Sequence, residues 1–164
     1  MNHRNLTDID VFDVQALFLD RDGVINKLLK NDYVKIWEEF EFLPGIIEAI
    51  AKWTNQCKYI IIVTNQRGVG RGLMKEEDLN DIHKKMIKVI ESKKGKIDKI
   101  YYCTDINSSS VNRKPNIGMA KQALIDFPEI DFSKCLMIGD SLTDKEFAEK
   151  CNMKFILVES FFDH

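Results

Sequence analysis

The chain has 164 residues, 45% of them apolar, enough for one domain whose core forms without disulfides or metal staples. A formal charge of -2 and a pI near 5.9 give no overall electrostatic reason to bind nucleic acid or an anionic membrane, so polyanionic partners are disfavoured. Four widely spaced cysteines without a CxxC pair, and no apolar run of signal or membrane-spanning length, point to reduced thiols in a cytoplasmic protein.

Residues 1–13 are polar and acidic without periodicity and read as an extension, a loose arm ahead of a single domain over 14–164. From Val14 onward, short apolar runs at 16–19, 59–63, 97–103, 135–138 and 155–158 alternate with helical segments, the pattern of βαβ units. Between Val24 and Pro44 the chain is aromatic and basic (Lys27, Lys30, Tyr33, Lys35, Trp37) and irregular, the best candidate for a loop over a site. One helix is expected after Pro44. Another covers 75–94, where Leu79, Ile82, Met86 and Val89 recur at helical spacing and Gly95 offers a stop. A third follows Asn116, and a last one runs from about 143 to 151 with Thr143 as its cap. No repeat or linker marks a second domain, so these elements predict an open, mainly parallel α/β sheet.

The polar motifs fall at the ends of the predicted strands. The first strand runs straight into Asp20-Arg21-Asp22-Gly23, which sets two carboxylates at its carboxyl end, where open α/β sheets bind ligands. An ionised carboxylate is a nucleophile without a neighbouring base, and a carboxylic acid beside it can protonate a leaving alkoxide and then activate water. Asp20 would attack and Asp22 would shuttle the proton. Two like charges this close should raise one pKa, and the expectation is that Asp22 carries the proton. Taken alone, DxDG is equally a turn or a calcium loop.

The second strand ends in Thr64-Asn65-Gln66-Arg67-Gly68, a hydroxyl and backbone N–H groups that can hold phosphate oxygens, or simply a polar loop. Arg113-Lys114-Pro115 precedes a helix, and the Lys114 ammonium can neutralise both nucleophile and phosphoryl group. Gly139-Asp140-Ser141-Leu142-Thr143-Asp144 brings hard oxygen ligands suited to magnesium to a further strand tip, although Asp140 or Asp144 alone reads as a cap. In this order the motifs describe one reaction, phosphoryl transfer to an aspartate followed by hydrolysis.

These motifs resemble those of the haloacid-dehalogenase superfamily over residues 15–159. Within it, Phe18-Leu19-Asp20-Arg21-Asp22-Gly23-Val24-Ile25-Asn26 is similar to the subclass III family of heptose 1,7-bisphosphate 7-phosphatases and histidinol-phosphate phosphatases, the heptose enzymes being nearer. Further similarity lies at 40–45, 64–72, 101–103 and 113–119. The resemblance implies a three-layer Rossmann-like fold without a separate cap domain, and a magnesium-dependent phosphomonoester hydrolase acting on a small phosphorylated sugar. It assigns Asp20 as nucleophile, Asp22 as acid/base, and Thr64 and Lys114 as phosphoryl-stabilising groups. Magnesium would sit on Asp20, the Asp22 backbone carbonyl and Asp140, with Asp144 in support. Arg113 would recognise substrate, with Asn26, Asn65, Gln66 and Arg71 as further substrate contacts.

Two departures stand out. The family usually places CxH and CxC before RKP, but here Cys103 stands alone before Thr104-Asp105-Ile106-Asn107-Ser108-Ser109-Ser110, so the expectation is no structural zinc and a shorter, more mobile loop. Ser141 stands where the heptose enzymes typically have lysine, which bears on substrate preference. Lys30, Asn31, Asp32 and Tyr33 are candidate sugar contacts, and His83 reads as a surface or packing residue. Histidinol phosphate or another small metabolite is the alternative substrate. A nucleic-acid 3′-phosphatase would need a basic groove and stacking aromatics. A non-catalytic binding module would not need every charged position kept. The protein is expected to act as a monomer without nucleic-acid or membrane partners.

Overall fold

The computed structural model describes residues 5–158. Strands β1 (Ala16–Leu19), β2 (Tyr59–Asn65), β3 (Lys99–Cys103), β4 (Leu136–Gly139) and β5 (Lys154–Leu157) form one parallel sheet in the order β3-β2-β1-β4-β5. Because side chains alternate across a strand, the sheet feeds two cores. Leu17, Leu19, Ile60 and Ile62 pack with α1 (Ile46–Thr54) and α3 (Glu76–Ser92) through Ile46, Ile50, Trp53, Leu79 and Ile82. Ala16, Phe18, Ile61 and Val63 face the other way, onto Met119 and Ala123 of α4 (Gly118–Asp126) and Phe147 and Ala148 of α5 (Leu142–Cys151). The result is the three-layer α/β architecture expected, and it explains why the central strands read as unbroken apolar runs.

The register decides where the polar residues go. Leu19 lies opposite Ile62 on one side and Ile138 on the other, so the residues after these strands emerge side by side. The chain order also reverses at β1, with β2 on one flank and β4 on the other, and a crevice opens at such a switch point.

Several boundaries differ from expectation for local reasons. The third strand starts at Lys99 rather than at residue 97, because the Asp98 side chain accepts a 2.8 Å hydrogen bond from Ile60 N where the ladder would begin. The residues after β2 are not all loop: Arg67–Gly70 form the short α2. In α3 the fourth buried apolar residue is Ile90 rather than Val89, and His83 is buried on the same face. Helix α5 begins at Leu142 with Ser141 as its cap, not Thr143, since the Ser141 hydroxyl accepts from Asp144 N at 3.2 Å. The loop between β3 and α4 is tied internally, with Asn116 Nδ2 donating to the Ser110 carbonyl at 2.8 Å and Ser109 N to Asn107 Oδ1 at 2.9 Å.

The loose-arm reading of residues 1–13 is corrected over its described part, from residue 5 on. Leu6, Ile9 and Val11 are buried against α1, Trp53 Nε1 donates to the Ile9 carbonyl at 2.8 Å, and Val11 N donates to Gln56 Oε1 at 3.0 Å. Three apolar residues spaced by three and then two match neither helix nor strand periodicity, so no pattern announces the contact. Residues 1–4 and 159–164 lie outside the described region. Ile9→Ala should cost about 2–4 kcal/mol in urea unfolding, the usual loss for a buried isoleucine. A change of a few tenths would return this segment to a loose arm.

Candidate active site

Gly23 and Gly139 make the crevice possible. Gly23 has φ +89° in the turn after β1, and a Cβ there would lie 1.9 Å from Asp140 Oδ2. A Cβ on Gly139 would lie 2.3 Å from the Asp144 Cβ. With neither present, Asp20, Asp140 and Asp144 offer carboxylate oxygens within 4.8 Å of one another.

One ammonium sits among them. Lys114 Nζ, buried, is 3.1 Å from Asp20 Oδ1 and 2.7 Å from Asp144 Oδ1. The lysine is aimed by Asn65, whose amide clamps its backbone: Oδ1 accepts from Lys114 N at 3.0 Å and Nδ2 donates to Lys114 O at 3.1 Å. The other Asp144 oxygen accepts from Asp140 N at 3.1 Å and Ser141 Oγ at 3.0 Å. Burial alone would raise Asp144, yet Lys114 and these donors hold it below the usual carboxylate range. Asp20 goes the other way: burial and the neighbouring charges of Asp144, Asp140 and Asp22 outweigh Lys114 and push it well up. Burial and Asp144 push Asp140 up to about 6. One lysine does not balance the cluster, and converging hard oxygens with surplus negative charge suit magnesium. Lys114 lies nearer Asp144 than Asp20, so Asp20 and Asp140 are the carboxylates that could take the ion, with Asp144 beside them.

Asp22 differs from expectation. Its Oδ1 accepts from Arg21 Nη2 at 2.8 Å and Asn26 Nδ2 at 2.9 Å, and its Oδ2 from Gln66 Nε2 at 2.8 Å. Burial acts to raise its pKa, but Arg21, Asn26 and Gln66 together lower it. The raised member of the pair is therefore Asp20, through burial and its neighbouring carboxylates, whereas the three hydrogen-bond partners of Asp22 all donate to it. Gln66 Nε2 also donates to Thr64 Oγ1 at 3.0 Å, which links the tips of β1 and β2.

The crevice is walled by these strand tips on one side and by Leu28, Leu29, Asp32, Tyr33 and Val34 from the irregular segment on the other. Asp32 and Tyr33 thus reach it as expected, whereas the lining does not include Lys30 or Asn31. Arg71 lies over the Tyr33 ring, 5.8 Å from its centroid. Burial and the nearby charges of Arg67 and Arg71 lower the pKa of half-buried Arg113, so these three arginines are close enough to feel one another's charge.

The chain is similar to known proteins in sequence and in fold. A family model described as Polynucleotide kinase 3 phosphatase matches residues 9–162. The D-glycero-alpha-D-manno-heptose-1,7-bisphosphate 7-phosphatase of Mycobacterium tuberculosis is 41% identical over 134 residues, 81% of this chain and 70% of that protein. The D-glycero-beta-D-manno-heptose-1,7-bisphosphate 7-phosphatase of Escherichia coli is 34% identical over 148 residues, 85% of this chain and 76% of its own. The crystal structure of D,D-heptose 1,7-bisphosphate phosphatase from B. bronchiseptica, complexed with magnesium and phosphate, superposes with a TM-score of 0.81 at 32% identity, covering 88% of this chain and 80% of that one. This chain belongs to the heptose-bisphosphate phosphatase family of the haloacid-dehalogenase superfamily.

As a phosphatase of that superfamily, it is a phosphomonoester hydrolase, and its Asp20, Asp140 and Asp144 carboxylates could hold a metal ion. Among the residues singled out in the sequence, Asp20, Asp22, Asn65, Gln66, Lys114, Asp140 and Asp144 line the crevice together. Asn26 and Thr64 are corrected together: both are fully buried and outside the lining, Asn26 donating to Asp22 and accepting from Arg21, and Thr64 accepting from Gln66. Asn65 spends its amide on Lys114, and Arg71 and Arg113 stand at the rim rather than among the lining residues.

The sequence gives Arg21 no role and reads His83 as a surface or packing residue, and the structure buries both beside Asp22. Arg21 is fully buried, its guanidinium meeting Asp22, Asn26 and His83 Nε2 at 3.1 Å. The alternation that turns Asp20 and Asp22 toward the crevice turns Arg21 away from it, a signal present in the sequence but unused. Burial and Arg21 lower the His83 pKa to about 3.

Two outcomes follow from these charges. Ionised Asp20 is unfavourable among its neighbours, so Asp20→Asn should raise the melting temperature in EDTA while abolishing turnover. A lower melting temperature would contradict the repulsion. His83 binds a proton near pH 6.5 when unfolded but not until about 3 when folded. Its contribution is therefore intact above 6.5 and lost as pH falls toward 3. The acid slope of stability between pH 6.5 and 4.5 should flatten in His83→Gln, measured by urea unfolding at each pH.

Proposed function

We propose that the protein removes the 7-phosphate of a D-glycero-D-manno-heptose 1,7-bisphosphate. Beyond the names of its relatives, the observation that carries this reading is the arginine cluster at the crevice rim. Among the described residues, Arg67, Arg71 and Arg113 pair with no carboxylate, and Arg67 Nε is buried without a hydrogen-bond partner. Three guanidinium groups short of anions, beside a site already equipped for one phosphate, suit a substrate with a second phosphate. Histidinol phosphate has only one and carries an amine that these arginines would repel. The 3′-phosphatase reading draws on the name of the matching family model, but the chain carries net charge -2. Its charge offers little to a polyanionic strand.

In this reading an Asp20 oxygen attacks the phosphorus, the bond to the sugar oxygen breaks, and Asp22 gives that oxygen its proton. The resting site keeps Asp22 ionised, and an arriving phosphate dianion beside it raises its pKa enough to load that proton. Asp22 then takes a proton from water, whose oxygen attacks the phosphorus and frees Asp20 and inorganic phosphate. Lys114 holds the phosphoryl oxygens, while Gln66, itself held by the buried Thr64 hydroxyl, steadies Asp22. Asp20, Asp140 and the Asp22 backbone carbonyl would hold magnesium, which would supply charge neutralisation for the transferring group. The protein is taken to work as a cytoplasmic monomer, in keeping with its four free buried cysteines.

The test is phosphate release, with magnesium or EDTA, from the α- and β-heptose 1,7-bisphosphates, histidinol phosphate and a 3′-phosphorylated oligonucleotide. A heptose bisphosphate should lead the panel, and another leader would replace the substrate while keeping the chemistry. Arg67→Ala and Arg113→Ala should each raise KM for the bisphosphate about tenfold, the worth of one charge-assisted hydrogen bond, and leave a heptose 7-monophosphate unaffected. Equal losses on both substrates would remove the arginines from second-phosphate binding.

A further inference from the structure

We propose that His83 is a positioning residue for Asp22, acting through the buried guanidinium of Arg21. The inference rests on the proposed role of Asp22 in proton transfer but not on which sugar phosphate is the substrate. Arginine only donates hydrogen bonds, so the 3.1 Å contact between Arg21 Nη1 and His83 Nε2 makes Nε2 an acceptor and puts the ring proton on Nδ1. Each of the three guanidinium nitrogens then meets one acceptor: Nε the Asn26 Oδ1 at 3.2 Å, Nη2 the Asp22 Oδ1 at 2.8 Å, and Nη1 the imidazole.

Arg21 is sealed from water, so a lost acceptor cannot be replaced by solvent. His83 comes from the middle of α3, whose Leu79, Ile82 and Met86 are locked in the core, so its position is rigid. Tyr102, with its ring centroid 5.9 Å away, flanks the imidazole. The orientation of Asp22 is thus referred to a helix packed beneath the sheet, not only to its own turn. Asn26 is part of the same arrangement, since it accepts from Arg21 and donates to the same Asp22 oxygen.

Removing the imidazole acceptor leaves Arg21 Nη1–H unpaired, and the guanidinium tilts to find a partner, taking Asp22 Oδ1 with it. Such a shift impairs proton transfer more than phosphate binding. A substrate whose leaving group needs a proton feels the loss, and one with a good leaving group does not.

The test compares His83→Leu, which has no acceptor, with His83→Gln, which keeps one, on an alkyl phosphate and on p-nitrophenyl phosphate. Any alkyl phosphate that the wild type hydrolyses serves, so failure of the heptose assignment leaves the test intact. His83→Leu should lower kcat/KM for the alkyl ester about tenfold or more while changing that for p-nitrophenyl phosphate less than about threefold, and His83→Gln should recover most of the loss. Equal losses on both esters, or no loss on the alkyl ester, would overturn the proposal and leave His83 a packing residue. Should His83→Leu not fold, nitrogen-detected NMR of the wild-type imidazole decides: Nδ1–H with unprotonated Nε2 at pH 6 is expected, and an Nε2–H tautomer or imidazolium overturns it.

Discussion

The ammonium of Lys114, set between Asp20 and Asp144 at the carboxyl edge of the sheet, is the interaction on which the site depends. Carboxylates this close to one another repel, and burial raises the cost of their charge. Lys114 relieves part of that repulsion, and it favours Asp144, at 2.7 Å, over Asp20, at 3.1 Å. Asp144 is thereby held ionised and quiet, while Asp20 and Asp140 keep raised affinities for a positive partner. The same unequal sharing separates a structural carboxylate from the two available for chemistry. It also makes the clamp of Asn65 on the Lys114 backbone consequential, because a shift of a fraction of an ångström would redistribute the charge.

Around that ion cluster the fold does two jobs. The in-register pairing of β1 with β2 and β4 brings residues more than a hundred positions apart in sequence to one edge. The two glycines then remove the side chains that would hold the carboxylates apart. Neither device stabilises the protein by itself. Stability comes from the apolar layers on both faces of the sheet, extended at one margin by Leu6, Ile9 and Val11. Those layers have to offset a destabilising concentration of negative charge at the sheet's edge, the usual relation between a rigid scaffold and a charged site.

The legible part of this protein is the part written in short-range patterns. The apolar runs match the five strands to within two residues at every end, and the motif order places Asp20, Asp22, Lys114 and Asp140 at one crevice. What the sequence hid depends on contacts between distant segments. Ile9 is buried because Trp53 and Gln56 wait for that stretch of chain, which no local periodicity reveals. The pKa order of Asp20 and Asp22 reverses because Arg21, Asn26 and Gln66 all donate to Asp22, and Gln66 comes from another strand tip. Asn26 looks like a substrate contact in a motif string and proves to be interior, since the turn over Gly23 folds it back beneath Asp22.

Chemistry and specificity sit on different parts of the molecule. The groups that can attack, shuttle protons and neutralise charge are anchored on strand tips and held by buried hydrogen bonds, so they have little freedom to vary. The groups that can distinguish one phosphate ester from another lie in the irregular segment around Tyr33 and in Arg67, Arg71 and Arg113. Ser141 fits this division. Its hydroxyl is engaged in capping α5 and bonding Asp144 and brings no positive charge to the crevice. In the proposed reading, positive charge for a second anionic group comes from the arginines beyond the lining, among them Arg67 with its buried, unpartnered Nε. A substitution at position 141 would therefore disturb the metal-side carboxylates before it changed recognition. Substitutions at 67 or 113 would alter recognition and leave the ion cluster intact.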